Sequence, residues 1–266
     1  MADTTIAFLG CGNMGGALAR AAAQRTRNII LTSGSGATAA KLAETLGVRC
    51  GSNKEAAAEA GMIFLGVKPQ IMPSLFDEIR DVLTAREDRF ILVSMAAGLT
   101  VADIRRLAGR EYPLIRIMPN TPAAVGQGMI LYCGDGVTDE EMNGFLGLME
   151  AAGQFDEIAE KYMDVAGTVA GCTPAWVCQF IESLADGGVA CGLPRAKSLR
   201  YAAQAVLGTA ALYLSGDEHP GTLKDAVCSP GGATIQGVRA LEKGGFRSSV
   251  MEAVIAAYEK TLSLGK

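Results

Sequence analysis

Ile6-Ala7-Phe8-Leu9-Gly10-Cys11-Gly12-Asn13-Met14-Gly15 is the stretch that decides the fold. Four apolar residues lead into a Gly-x-Gly-x-x-Gly pattern, and helical periodicity over residues 14–25 follows. A lone glycine pattern is weak. A strand before it and a helix behind it, however, form the context in which a dinucleotide pyrophosphate rests on a helix N-terminus. Gly10 permits the tight turn, Gly12 lets the pyrophosphate approach the backbone, and Gly15 lets helix and strand pack closely. Cys11, Asn13 and Met14 share the turn and join the three glycines as candidate cofactor contacts.

The same alternation continues outward. Short apolar runs at 29–31, 62–67, 90–93 and 114–117 read as strands buried on both faces. Helices are expected over 38–46, 52–59, 71–82 and 101–107, with Ser52 and Thr100 as N-caps and Asp103 at capping-box distance from Thr100. Later strands at 125–133 and 153–158 enclose a helix over 138–149. The pattern predicts an α/β fold: an N-terminal Rossmann-type doubly wound sheet over residues 1–160, binding NAD(P). No clear strand follows Lys161. Residues 164–190, 195–214, 220–227, 233–243 and 246–264 read as helices divided by Gly or Pro. Several are apolar nearly all round, 202–214 above all, and such a helix must be buried on every side. Residues 161–266 are therefore expected to form an all-helical C-terminal dimerisation domain that also binds substrate.

Bulk properties narrow the function. Of 266 residues, 49% are hydrophobic and 20% charged, so the chain can build a sizeable core. The 24 basic and 28 acidic residues leave a net charge of −4, and no basic run exceeds two residues, which speaks against a nucleic-acid partner. No run approaches the roughly 18 apolar residues of a membrane span, and a strand begins where a cleavable leader would lie. The seven cysteines show no Cys-x-x-Cys pair and His219 is the only histidine, so no metal site is expected. Scattered thiols in odd number fit a reducing cytoplasm.

Thr32-Ser33-Gly34-Ser35-Gly36 ends the second strand without the carboxylate that would repel a 2′-phosphate, which favours NADPH, with Ser33 as a contact. The missing arginine keeps NADH open, and Lys41 is either a helper or a solvated helix residue. Val67, Lys68 and Pro69 follow the strand at 62–67, where such sheets bind ligands. Met118-Pro119-Asn120-Thr121-Pro122 is a rigid loop that sets Asn120 near the nicotinamide. Far downstream, Leu223-Lys224-Asp225-Ala226-Val227-Cys228-Ser229-Pro230-Gly231-Gly232-Ala233-Thr234 stands before a helical pattern. It is a fixed loop able to hold a small anion at a helix N-terminus, through Ser229 and the backbone of Gly231, Gly232, Ala233 and Thr234. The plainer reading is a helix N-cap by Ser229 or Thr234.

Taken in order and spacing, residues 10–15, 67–70, 118–123, 229–234 and Gly244-Gly245-Phe246-Arg247 resemble the pyrroline-5-carboxylate reductases over nearly the whole chain. Asn53 also matches a position that in this family meets the cofactor's ribose. The resemblance implies reduction of 1-pyrroline-5-carboxylate to L-proline by NAD(P)H, the last step of proline biosynthesis. It further implies a homodimer joined through the C-terminal helices, often assembled to a homodecamer. One departure stands out. Where the family has Gly-Ser-Gly-Pro-Ala-Tyr, this chain has Gly171-Cys172-Thr173-Pro174-Ala175-Trp176, at a stretch read as starting a helix near the active site. It leaves open another cyclic imine acid as substrate, a piperideine or pyrroline-2-carboxylate; a non-catalytic cofactor-binding regulator is the remaining alternative.

Imine reduction needs a hydride on carbon and a proton on nitrogen. No tyrosine has lysine four places on, which excludes the usual carbonyl-reductase relay. The imine nitrogen is basic enough to do without a strong acid. Thr234, by its family match, is assigned to positioning and a modest share of proton delivery, with Ser229 beside it. Arg116 and Arg239 read as fold or interface charges.

Overall fold

The computed structural model describes residues 4–263. They divide into two compact units: the chain up to Cys172 together with the chain from Ala257 on, and Thr173–Ala256. The change from strands to helices falls near residue 160, whereas packing divides the chain about a dozen residues later, inside a long helix.

The first unit is a single eight-stranded sheet. Its strands are β1 Ile6–Leu9, β2 Ile29–Thr32, β3 Arg49–Cys50, β4 Met62–Leu65, β5 Ile91–Ser94, β6 Leu114–Met118, β7 Gly128–Asp135 and β8 Gly153–Glu157. The order is β3-β2-β1-β4-β5-β6-β7-β8. Strands β1 to β6 pair in parallel, β7 runs antiparallel to β6, and β8 is parallel to β7. The chain reverses its winding between β1 and β4, the point at which a doubly wound sheet opens a crevice.

Six helices cover the two faces: α1 Asn13–Ala22, α2 Ala37–Leu46, α3 Asn53–Glu59, α4 Met72–Ala85, α5 Val101–Ala108 and α6 Asp139–Met149. Leu18, Leu42 and Phe145 of α1, α2 and α6 pack with Phe8 and Phe64 on one face. Ala56, Phe76 and Ile104 of α3, α4 and α5 pack with Leu9, Ile63 and Leu92 on the other. Phe8 stacks on Phe64 at 4.4 Å between centroids, which ties β1 to β4 beneath the crevice. Ser52 and Thr100 cap α3 and α5 in full capping boxes, and Thr138 does the same for α6.

The differences from sequence expectation have local causes. The edge strand β3 is two exposed residues long, too short to show alternation. Strand β7 starts at Gly128 because residues 121–125 form a 3₁₀ turn, with Pro119 before it and Pro122 in its first turn. Strand β4 stops at Leu65 because Gly66 passes against Gly10. Arg116, in the middle of β6, is 1% exposed, held by Glu160 at 3.2 Å and Asp164 at 2.5 Å. Its Nε has no partner. Glu160 also accepts from Val101 N at 2.7 Å, so this cluster joins β6, the start of α5 and the start of the next helix.

That helix is α7, Met163–Ala190, and it contains Pro174 in its interior. The stretch 171–176 therefore lies within a helix and does not start one. The second unit holds most of α7 with α8 Arg195–Leu214, α9 Pro220–Ala226, α10 Ala233–Lys243 and most of α11 Phe246–Leu262. Ser198 Oγ donates to Ala185 O at 2.9 Å where α7 and α8 meet. Only Ala185, Ser198 and Ala202 are buried in this unit. Leu207, Leu212, Leu214, Val250, Met251 and Ile255 are exposed. The end of the helix expected over 246–264 lies partly outside the described residues.

Candidate active site

The crevice at the β1/β4 switch is a cleft of about 580 Å³. Gly10, Cys11, Gly12, Ser33, Asn53, Val67 and Lys68 all line it, as the sequence expects. Asn13 borders an adjoining groove of about 740 Å³, with Arg20 and Lys41. Met14, Gly15, Pro69 and Asn120 line neither. The cleft also gathers Thr32, Gly66, Ile71, Ser74, Leu75 and Glu78. Gly66 lies inside the run 62–67 that the sequence reads as one strand, and a glycine at such a place is the signal of a close backbone approach. Ile71, Ser74, Leu75 and Glu78 share one face of the α4 region, but no sequence signal says that this face looks into the crevice.

The glycines do different jobs. Gly10 has φ +105°, and a Cβ there would meet Gly66 C at 2.8 Å. A Cβ on Gly15 or on Gly66 would collide with the carbonyl oxygen of Gly10. These three let β1, β4 and α1 converge. A Cβ on Gly12 would meet nothing within 4 Å. Gly12 is the N-cap of α1 with no side-chain cap, so the first-turn N–H groups of Asn13, Met14 and Gly15 keep their hydrogens for an anion. Cys11 lines the turn without a free donor: its N–H donates to Thr32 O at 2.8 Å, and its thiol is buried, donates to Phe8 O at 3.7 Å, and is pushed up to about 11 by desolvation.

At the ribose end, Ser33 Oγ accepts from Ala39 N at 3.1 Å, which folds the loop 33–36 onto the start of α2. The N-cap of α2, Gly36, has no side-chain cap either. Ser33 Oγ thus serves the third N–H of α2, the N–H groups of Ala37 and Thr38 keep their hydrogens, and no carboxylate belongs to this loop. Asn53 Oδ1 accepts from Thr32 Oγ1 at 2.5 Å, and Asn53 Nδ2 donates to Glu78 Oε2 at 2.8 Å. This relay fixes the carboxamide and leaves one N–H and one lone pair for sugar hydroxyls. The residues fit a bound NAD(P): an open glycine, an unblocked helix N-terminus and an oriented amide converge on one crevice.

Asn120 is a fixed polar group, as the sequence suggests, and it is backbone that fixes it. It is 8% exposed and both ends of its carboxamide are engaged by backbone. Lys68 is exposed at the cleft rim. Arg239 is an exposed residue of α10 bonded to Gln236 at 3.0 Å.

In the second unit, residues 229–234 form a turn closed by Gly232 N donating to Ser229 O at 3.0 Å. Gly231 has φ +72°, and a Cβ on Gly232 would strike Ser229 Oγ. The N-cap of α10 is Gly232, with no side-chain cap. Neither Ser229 nor Thr234 spends its hydroxyl on the chain. The N-cap reading of these two residues is therefore not the one the geometry supports. The loop offers two free hydroxyls and a run of free N–H groups at one helix start.

Residues 160–264 match the family model for pyrroline-5-carboxylate reductase dimerisation, and residues 5–98 match the model for coenzyme F420-dependent NADP oxidoreductases. The chain is 40% identical over 270 residues to pyrroline-5-carboxylate reductase of Escherichia coli, covering 99% of each chain. It belongs to the pyrroline-5-carboxylate reductase family. A reductase of this family from pea, Pisum sativum, is 38% identical over 265 residues, covering 98% of this chain and 96% of its own. The solved Plasmodium falciparum pyrroline carboxylate reductase, with NADP bound, superposes with a TM-score of 0.89 at 34% identity, covering 100% of each chain. Among the described residues no helix is long and apolar enough to cross a membrane, and no three His, Cys, Asp or Glu residues converge as a metal site.

Proposed function

We propose that the chain reduces 1-pyrroline-5-carboxylate to L-proline with NADPH, the last step of proline biosynthesis. The observation that carries this reading is the loop 229–234, whose two hydroxyls and first-turn N–H groups of Ala233 and Thr234 are unspent. A small cyclic acid needs just such donors. Its carboxylate takes the N–H groups of Gly231, Ala233 and Thr234 together with the Ser229 hydroxyl, while Gly232, whose N–H closes the turn onto Ser229 O, gives the room for its approach. Thr234 Oγ1 then faces the imine nitrogen, holds the ring in place and passes on a proton from solvent. NADPH, when bound, supplies the hydride. The open Gly12 and the first-turn N–H groups of Asn13 and Met14 would hold its pyrophosphate, with Cys11 shaping the turn through its N–H to Thr32 O. Asn53 orients the ribose, and Val67, Lys68 and Pro69 line the path toward the nicotinamide. Oxidation of NADPH on addition of 1-pyrroline-5-carboxylate tests the reading; absence of turnover overturns it. Assaying six-membered and pyrroline-2 imine acids alongside decides whether Cys172, Thr173 and Trp176 have moved the preference.

The uncharged loop at Ser33 supports NADPH over NADH. We expect a higher kcat/KM for NADPH and a shift toward NADH in Ser33→Asp, which sets a carboxylate against the 2′-phosphate. Equal efficiency with both cofactors in the parent enzyme removes the inference.

The chain is a homo-oligomer on this reading, with residues 1–160 holding the nucleotide and 161–266 the imino acid and the subunit contact. The exposed Leu207, Leu212, Leu214 and Met251 support a homodimer, and a homodecamer built from it. Sedimentation should show no monomer at micromolar concentration; a stable monomer contradicts it. Free thiols at all seven cysteines support a cytoplasmic setting.

A further inference from the structure

A proline inside a helix removes one N–H donor and presses on the carbonyl four residues earlier. In α7 the proline is Pro174, and the carbonyl is that of Ala170. This carbonyl is not left bare. Asn120 Nδ2 donates to Ala170 O at 3.0 Å. The other end of the same carboxamide accepts from Met129 N at 3.0 Å. Met129 lies beyond the last β6–β7 pair, Met118 with Leu131, so its N–H has no partner on β6. One buried side chain thus serves two backbone groups that no regular element serves. The orientation is forced, since the amide nitrogen must face a carbonyl and the amide oxygen an N–H.

We infer that Asn120 is a positioning residue: its carboxamide replaces the helical hydrogen bond that Pro174 abolishes, and so fixes the 118–123 loop to α7 and to the start of β7. Asparagine is the residue that fits. Aspartate lacks the donor and sets a charge against a carbonyl oxygen; an apolar residue leaves two buried backbone groups unpaired. The loop follows β6 at the carboxyl end of the sheet, where ligands bind. Asn120 then acts on the reaction through the loop's place and makes no contact of its own with the nicotinamide. This last step rests on the proposed reductase activity.

The test is a cycle of Asn120→Ala and Pro174→Ala in the full chain, with urea unfolding at fixed protein concentration. Asn120→Ala should lower the folding equilibrium constant by roughly ten- to a hundredfold. In the Pro174→Ala background the helix regains its own N–H to Ala170, and the same change should cost at least about threefold less. An equal cost in both backgrounds overturns the proposal. Asn120→Asp supplies the second readout. Ionised, it opposes Ala170 O; protonated, it donates there and still accepts from Met129. Burial beside a carbonyl raises its pKa, so kcat/KM relative to the parent enzyme should recover as pH falls from about 8 to about 6. A pH profile parallel to that of the parent enzyme also overturns it. Should the parent enzyme not reduce 1-pyrroline-5-carboxylate, the activity reading fails while the unfolding cycle still decides the role of Asn120.

Discussion

Replacing Thr234 with alanine lowers kcat by roughly ten- to a thousandfold while NADPH binding stays close to that of the parent enzyme. The hydroxyl is free in the chain and stands in the first turn of α10, apart from the nucleotide cleft in sequence and in unit. Its loss removes one positioned hydrogen-bonding group from the reacting nitrogen and nothing from the cofactor. Thr234→Ser restores most of the rate, because the hydroxyl and not the methyl is used. Ser229→Ala behaves differently. It chiefly raises KM for the imine acid, since the carboxylate it meets is charged in both ground and transition states. Steady-state kinetics with each substrate varied in turn, and fluorescence titration of NADPH, separate these outcomes. Full turnover in Thr234→Ala together with an unchanged KM in Ser229→Ala reduces the loop to a helix start.

The second large effect concerns stability. Glu160→Gln combined with Asp164→Asn costs about 3–5 kcal/mol, because it strands a guanidinium that is 1% exposed without its charged partners. Arg116→Met costs less, about 1–2 kcal/mol. Methionine fills the same channel, and the carboxylates left behind, 37% and 25% exposed, take up water. Urea midpoints at fixed protein concentration give the ordering. A larger loss in Arg116→Met than in the double carboxylate variant contradicts it.

Arg116 also shows where sequence reading ends. The strand Leu-Ile-Arg-Ile-Met is apolar enough to be read as buried, yet the partners of its one charge lie more than forty residues away, in a loop and at a helix start. Nothing local points to them. The glycine turn, the capped helices and the α10 start were legible because their signals are local: spacing, a capping hydroxyl, a Pro-Gly-Gly run. Asn120 was legible as a fixed polar group, but its fixing partners were not. They depend on a proline fifty-four positions on and on where β7 begins. The α4 face with Glu78 was hidden for the same reason, since sheet order alone turns it toward the crevice.

Of Gly10, Gly12, Gly15 and Gly66, three are held by one another. Gly10, Gly15 and Gly66 exclude side chains because backbone meets backbone there, whereas the space above Gly12 is empty of protein. In a lineage that stopped using its nucleotide, selection would release Gly12 first and keep the other three for as long as the sheet had to fold. The fingerprint therefore outlives the chemistry it advertises. Of its glycines, Gly12 is the one whose retention speaks for a ligand.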